Sequence, residues 1–307
     1  MRAYRVGAAS ALAVVWLAGC AGDDLRLDGV HYQYVVSELR VPTNAVTARE
    51  NSLDLDGNDS TDNQLGQVFG ALNQNGLGVG DTAREALLRG GLVMLADLET
   101  TDFENTKISG FTTYLGSDPD PAPCLDPARL ESCGQHVLGQ GHFSVDDSSA
   151  SDHAVAPIVD GVFIDTVGVL PVEIAIDPSM PIRLDLRGAR VRLSQLSEGH
   201  VSGILGGGIT QADIDGVVIP QATAQMNRIV QAECAQPSGQ PPCGCLGRAD
   251  LLQYVFDDDD DCQIEVGEIS TNSLVRSLLD PDIVVDGQPL LSFGVGVELA
   301  TATFTAP

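Results

Sequence analysis

Apolar residues recur along the chain with two different spacings. Leu65, Val68, Phe69 and Leu72 fall at i, i+3, i+4 and i+7, the stripe of an amphipathic helix. A second helix is predicted from Asp81 as N-cap, carrying Ala83, Leu87 and Leu88 up to Gly90-Gly91. Beyond Gly91 the spacing drops to two. Residues 92–98 and 107–115 read as strands separated by a polar turn, and 162–176 and 182–196 as two more. In the last of these, Ile182, Leu184 and Leu186, then Val191 and Leu193, alternate with Arg and Asp, which marks a half-exposed sheet face. Residues 200–209 are Gly-rich and read as a strand with a turn, where Gly206-Gly207-Gly208 suits a turn or close backbone packing. A helix is predicted over 219–234, starting near Pro220. The stretch 291–304 alternates again through Phe293, Val295, Val297 and Leu299. Residues 117–156, rich in Pro, Asp and Ser, read as an insertion. The predicted fold class is α+β, with an antiparallel sheet or sandwich core and flanking helices.

The first twenty residues follow another rule. Arg2 and Arg5 precede an apolar run over 6–17, too short to span a bilayer, which takes about 20 apolar residues. A basic start, a short apolar run and small residues after it mark an export signal. The run ends in Leu17-Ala18-Gly19-Cys20, which resembles the lipobox of bacterial lipoproteins. The resemblance implies cleavage before Cys20, acylation of that cysteine and anchoring by several fatty chains, since one chain alone holds only marginally. Ala21, rather than Asp, follows the cysteine, and in lipoprotein sorting this leans towards the outer membrane. The expected division is a signal peptide over 1–19, a lipid anchor and tether over 20–50, and a globular α+β domain over 51–307.

Charge narrows the partners. The full chain carries 43 acidic and 16 basic residues, a net charge of −27. From Cys20 onward 14 basic residues face all 43 acidic ones, a formal charge of −29. Such a chain repels nucleic acid and anionic lipid, and suits cations. Beyond Cys20 stand Cys124, Cys133, Cys234, Cys243, Cys245 and Cys262. Their even number and the exported compartment predict disulfides. Cys124 and Cys133 are expected to pair with each other, and the other four to form two bridges that avoid Cys243 to Cys245. A zinc site is the alternative, but no histidine lies between Cys234 and Cys262.

The sharpest chemistry lies in Asp257-Asp258-Asp259-Asp260-Asp261-Cys262-Gln263-Ile264-Glu265-Val266-Gly267-Glu268. Counted from Asp257, oxygen donors stand at positions 1, 3 and 5 (Asp257, Asp259, Asp261), 9 (Glu265) and 12 (Glu268). Gln263 at position 7 offers its carbonyl, and apolar Ile264 holds position 8. This spacing winds hard oxygen ligands around one ion, as Ca²⁺ with its six to eight ligands requires. Leu251, Leu252, Val255 and Phe256 give an incoming helix its apolar face. Ile269, Leu274, Leu278 and Leu279 do so for an outgoing one. Residues 248–280 therefore resemble an EF-hand, roughly a tenth of the chain. The departure is Cys262 at position 6, where a positive φ favours glycine; a disulfide to the 234–245 cluster would hold that turn. The alternative is a solvated acidic turn.

A weaker loop precedes the first helix. Asp54, Asp56, Asn58, Ser60 and Asp62 fall at positions 1, 3, 5, 7 and 9, but position 12 is Leu65. It looks like a degenerate EF-hand or dockerin-like loop, which as an EF-hand would be the partner lobe of the C-terminal one; the alternative is an Asx-rich turn capping the next helix.

Enzyme signatures are absent: no Gly-x-Ser-x-Gly elbow, no His-Glu-x-x-His and no phosphate-binding glycine loop. His136 and His142, near Asp146 and Asp147, are a weak metal cluster. The expected function is a calcium-binding, non-enzymatic envelope lipoprotein, a structural or binding module. An envelope hydrolase and a carrier of an apolar ligand inside the sheet are the alternatives.

Overall fold

The computed structural model describes residues 27–74, 78–123, 126, 129–175, 181–235 and 243–306. The strands are β1 (Val30–Arg40), β2 (Met94–Thr100), β3 (Thr106–Asp120), β4 (Gly141–Val145), β5 (Ala154–Val159), β6 (Val162–Ile174), β7 (Ile182–Ser194), β8 (His200–Ile209), β9 (Ile283–Val285) and β10 (Gln288–Phe304). Eight of them, in the order β1-β2-β3-β5-β6-β7-β8-β10, pair antiparallel all the way round. β10 then pairs with β1, Tyr34 facing Thr301, and closes a barrel. β4 and β9 lie off the ring, pairing with β3 and β10 and with β10 respectively.

This overturns the α+β sheet or sandwich: the chain is mostly β, a closed barrel with two extra strands and a few helices. The strand that closes the ring is the reason. The sequence places residues 30–40 in the tether, yet β1 hydrogen-bonds on both its edges. Closure removes the exposed edges that an open sheet would leave. The insertion over 117–156 likewise contributes β4 and β5.

Alternation sets which residues fill the barrel. On β7 Ile182, Leu184, Leu186, Ala189, Val191 and Leu193 are buried, all at 4% exposure or less. The register shifts between Arg187 and Arg190, at Gly188 with φ 54°, and this bulge moves the inward set from even to odd positions. Two hairpins have Asp-Gly turns with positive φ at both residues, Asp160-Gly161 and Asp286-Gly287. That is the turn whose twist matches antiparallel strands. The glycines of β8 meet the backbone-packing expectation: an added Cβ on Gly207 would stand 2.8 Å from Leu186 Cβ.

Helices close one end. α1 (Ala45–Glu50), α2 (Gln64–Gln74) and α3 (Val79–Leu88) follow β1 in sequence. Phe69 of α2 stacks edge-on against Phe293 at 5.9 Å. Phe69, Val79 and Ala83 meet Leu39, Ile174 and Phe293 around a cavity of about 20 Å³. Strands from opposite walls thus meet the helices across a filled core. α4 (Leu130–Cys133) is a single short turn, and α5 (Gln211–Asp213) leads through a π-helical stretch, Ile214–Val218, into α6 (Ile219–Glu233). α7 (Arg248–Phe256), α8 (Val266–Thr271) and α9 (Ser273–Leu279) complete the helices. The barrel's outer wall carries charge, including exposed Arg183, Arg187 and Arg192 on β7. A membrane-spanning barrel turns its apolar band outward, the reverse of this pattern. No helix among the described residues is long and apolar enough to cross a membrane.

Candidate functional site

Both acidic loops are built in the same way. α7 ends at Asp257, the first position of the C-terminal loop. The Asp257 carboxylate accepts the N–H groups of Asp261 (3.1 Å) and Cys262 (2.9 Å). Asp259 accepts from Asp261 at 3.3 Å, and Asp261 from Gln263 at 2.8 Å. Asp260 and Cys262 have positive φ, 57° and 70°. Oxygens of Asp257, Asp259 and Asp261 all lie within 4.8 Å of one another.

The N-terminal loop repeats this skeleton position for position. Asp54 accepts from Asn58 at 3.1 Å and from Asp59 at 3.2 Å. Asp56 accepts from Asn58 at 3.2 Å, and Asn58 from Ser60 at 2.8 Å. Positive φ recurs at the fourth and sixth positions, Gly57 (79°) and Asp59 (66°). Here the clustered carboxylates are Asp54, Asp56 and Asp62.

The loops differ in how they close. Glu268 reaches back across its loop, accepting the N–H of Asp258 at 2.6 Å and that of Glu265 at 2.7 Å. Glu265 and Glu268 form a capping box on α8. In the N-terminal loop Asp62 does the equivalent work: it accepts the N–H of Leu55, again the second position, at 2.8 Å. The missing twelfth carboxylate is thus replaced by the ninth. Burial raises the pKa of both Asp257 and Asp62 from the ordinary aspartate value, partly offset by the backbone N–H bonds each accepts, and neighbouring carboxylates add to the rise.

The flanks need two corrections. The outgoing helix is broken: α8 stops at Asn272, whose side chain caps α9 by accepting from Leu274 and Val275. The N-terminal loop is not the partner lobe. No hydrogen bond among the described residues joins the two loops. Buried Ile264 has both its backbone groups taken by the Asn227 side chain from α6, at 2.9 and 2.6 Å. The N-terminal loop packs elsewhere, with Leu55 buried against Ile283 and Leu290, and the Asp54 carbonyl bonded by Arg190 at 2.5 Å.

Two disulfides staple this region, Cys234–Cys245 and Cys243–Cys262. They are the two bridges expected from the four clustered cysteines, and the second holds the buried sixth-position residue. Cys133 is disulfide-bonded as well; Cys124, its expected partner, and Cys20 lie outside the described residues. His136 and His142 form no cluster. His136 is fully buried, bonds the Leu87 carbonyl at 3.0 Å and has its pKa lowered by burial, while His142 is exposed on β4.

Sequence reasoning missed Asn63 and Asn227. Asn63 Nδ2 donates to the carbonyls of Ala48, Asn51 and Gly294, and its Oδ1 accepts from Gly66 and Gly294. Its only sequence signal is a position directly after an acidic loop. A cleft of about 1040 Å³ lies between the end of β1, α1 and α3, with Glu38, Glu50 and Asp81 on its walls. No protein family, curated protein or solved structure matches this chain.

Proposed function

We propose that this chain is a calcium-stabilised lipoprotein of the bacterial envelope, a non-enzymatic structural or binding module held to a membrane by lipid on Cys20. The observation that carries the calcium reading is the shared loop skeleton. Two segments far apart in sequence place carboxylates at the first and third positions, use the same backbone bonds and close on a carboxylate that reaches the second position. Hard oxygen donors converging in a chain of net charge −27 suit Ca²⁺. The C-terminal loop is the principal site, with Asp257, Asp259, Asp261, Glu265 and Glu268 and the Gln263 carbonyl as ligands. The N-terminal loop, with Asp54, Asp56, Asn58, Ser60 and Asp62, is the weaker one.

The anchor rests on the lipobox, and an outer-membrane location on Ala21. A closed barrel is compatible with a carrier of an apolar ligand, but the cavity lined by Phe69, Val79 and Phe293 measures about 20 Å³, room for about one water and not for such a ligand. Two measurements test the proposal. In cells, Cys20→Ser should leave the chain unprocessed or soluble, and a processed, membrane-bound variant would contradict the anchor. In detergent, a calcium chelator should lower the melting temperature of the full chain; an unchanged value would reduce both loops to solvated acidic turns.

A further inference from the structure

One strand of the barrel is apolar on both faces. Every residue of β5, from Ala154 to Val159, is apolar, although its burial alternates. Ala154, Ala156 and Ile158 point into the core. Val155, Pro157 and Val159 point out, Val155 being 43% and Val159 55% exposed. A strand that is apolar on both sides is ordinarily covered on both sides. The next strand extends the surface. Val159 stands directly opposite Val162 on β6, and Ile164, two residues on and on the same face, is 57% exposed. Val155, Pro157, Val159, Val162 and Ile164 thus form one continuous outward strip, unlike the outer face of β7 with its Arg183, Arg187 and Arg192. Scattered exposed apolar residues are ordinary, but a contiguous set marks a contact surface.

Two features say what covers it. The first is charge. Exposed Arg192 on β7 is opposite Ile164. On β3 a register shift between Thr106 and Ser109 sets Lys107, the chain's single lysine, beside Pro157. Long basic side chains on either side of an apolar surface reach headgroup level at a membrane. At the hairpin tip Asp160 and Glu104 are acidic, the Glu104 carbonyl accepting the Gly161 N–H at 2.9 Å, and with the net charge of −27 they favour a zwitterionic surface over an anionic one. The second feature is where the chain enters the fold. The Gly29 N–H donates to Glu99 on β2 at 3.0 Å. Leu27 lies over Gly110 on β3, where an added Cβ would stand 3.5 Å from its Cδ1. Gly110 pairs with Val155, and neighbouring strands lie about 4.8 Å apart. Cys20 precedes Leu27 by seven residues, which even fully extended span at most about 25 Å.

We propose that Val155, Pro157, Val159, Val162 and Ile164 are the face that this chain lays on a zwitterionic lipid surface, with Lys107 and Arg192 at headgroup level. The proposal rests on the lipid anchor at Cys20. The anchor holds the strip within reach of the bilayer, so the second contact is intramolecular and needs only weak affinity of its own. The barrel then lies on its β5–β6 flank rather than hanging free on its tether.

The test uses the full chain, expressed in cells, extracted from membranes and placed one copy per phosphatidylcholine nanodisc. Trp16 is the only tryptophan of the sequence and leaves with residues 1–19 on processing, so a tryptophan introduced by Val159→Trp or Ile164→Trp reports alone. Tyr254→Trp on α7 is the control, at a position 90% exposed. All three positions face solvent, so the fold tolerates the ring. Lipid brominated along its acyl chains should quench the tryptophans of Val159→Trp and Ile164→Trp about twofold, since interfacial side chains sit about 5–10 Å into the headgroup and acyl boundary. It should leave Tyr254→Trp unchanged. Adding Val159→Glu to Ile164→Trp should remove the quenching. Quenching of Tyr254→Trp in place of the strip would put another face on the membrane and overturn the proposal. A processed chain whose strip tryptophans bromine leaves unchanged would overturn this orientation alone. An intact mass that retains residues 1–19 would overturn the anchor and the orientation together.

Discussion

Replacing Glu268 by Gln should abolish most of the stability that calcium gives this chain. Glu268 is the one carboxylate that spans its loop, tying the second position at 2.6 Å and the ninth at 2.7 Å. Gln keeps the shape and loses the charge and the two-oxygen grip. An ion that binds only the folded state stabilises it by about 2.7 kcal/mol at a hundredfold excess over Kd. For a domain of this size that corresponds to a melting shift of roughly 5–10 °C. Glu268→Gln should forfeit most of that shift in calcium and melt close to the wild type in chelator. Asp62→Asn should forfeit a smaller part, because Asp62 ties only the Leu55 N–H. Thermal melts of the three proteins with Ca²⁺ and with chelator decide it. A Glu268→Gln variant that keeps the full calcium shift would place the ion elsewhere.

Asn63→Ala should be the most damaging single change near the N-terminal loop. Asn63 is 4% exposed and bonds both backbone groups of Gly294, each at 2.9 Å. On that edge of β10 the pairing with β1 begins only at Gly296, opposite Arg40. The amide therefore stands in for a strand that has ended. Gly294 must be glycine, since a Cβ would collide with the Asn51 carbonyl. Alanine at 63 leaves the Gly294 N–H and several carbonyls buried and unpaired. At about 1–3 kcal/mol for each unsatisfied group, a loss of about 3–5 kcal/mol is expected. Urea unfolding of the variant measures it. Asn63→Asp, which can accept but not donate, should fall between the two. A loss under about 1 kcal/mol for Asn63→Ala would mean that solvent reaches the site.

What the sequence made legible is what local geometry decides. The inward set of β7 could be read from Ile182, Leu184 and Leu186 giving way to Val191 and Leu193. The turn at Cys262 could be read because a twelve-residue loop fixes its own backbone, and the φ of 70° follows from that; a bridge to the 234–245 cluster was expected, but that Cys243 is the partner depends on how the segment before α7 folds back. Barrel closure could not be read, since it depends on Tyr34 meeting Thr301 across nearly the whole chain. The alternation of Tyr32, Tyr34 and Val36 was present but was masked by its nearness to the presumed anchor. The role of Asp62 was hidden for a related reason: whether the ninth or the twelfth residue closes a loop depends on the path of the backbone. Asn63 and Asn227 are brought to their partners only by tertiary pairing, so no spacing announces them.

Calorimetric titration of the chelator-stripped full chain with Ca²⁺ is the most direct measurement. Two binding events are expected, with dissociation constants near the 10⁻⁴–10⁻³ M of extracellular modules. The tighter event should vanish in Glu268→Gln and the weaker in Asp62→Asn. A chain that releases no heat with Ca²⁺ and holds no ion by elemental analysis would contradict calcium binding at both loops.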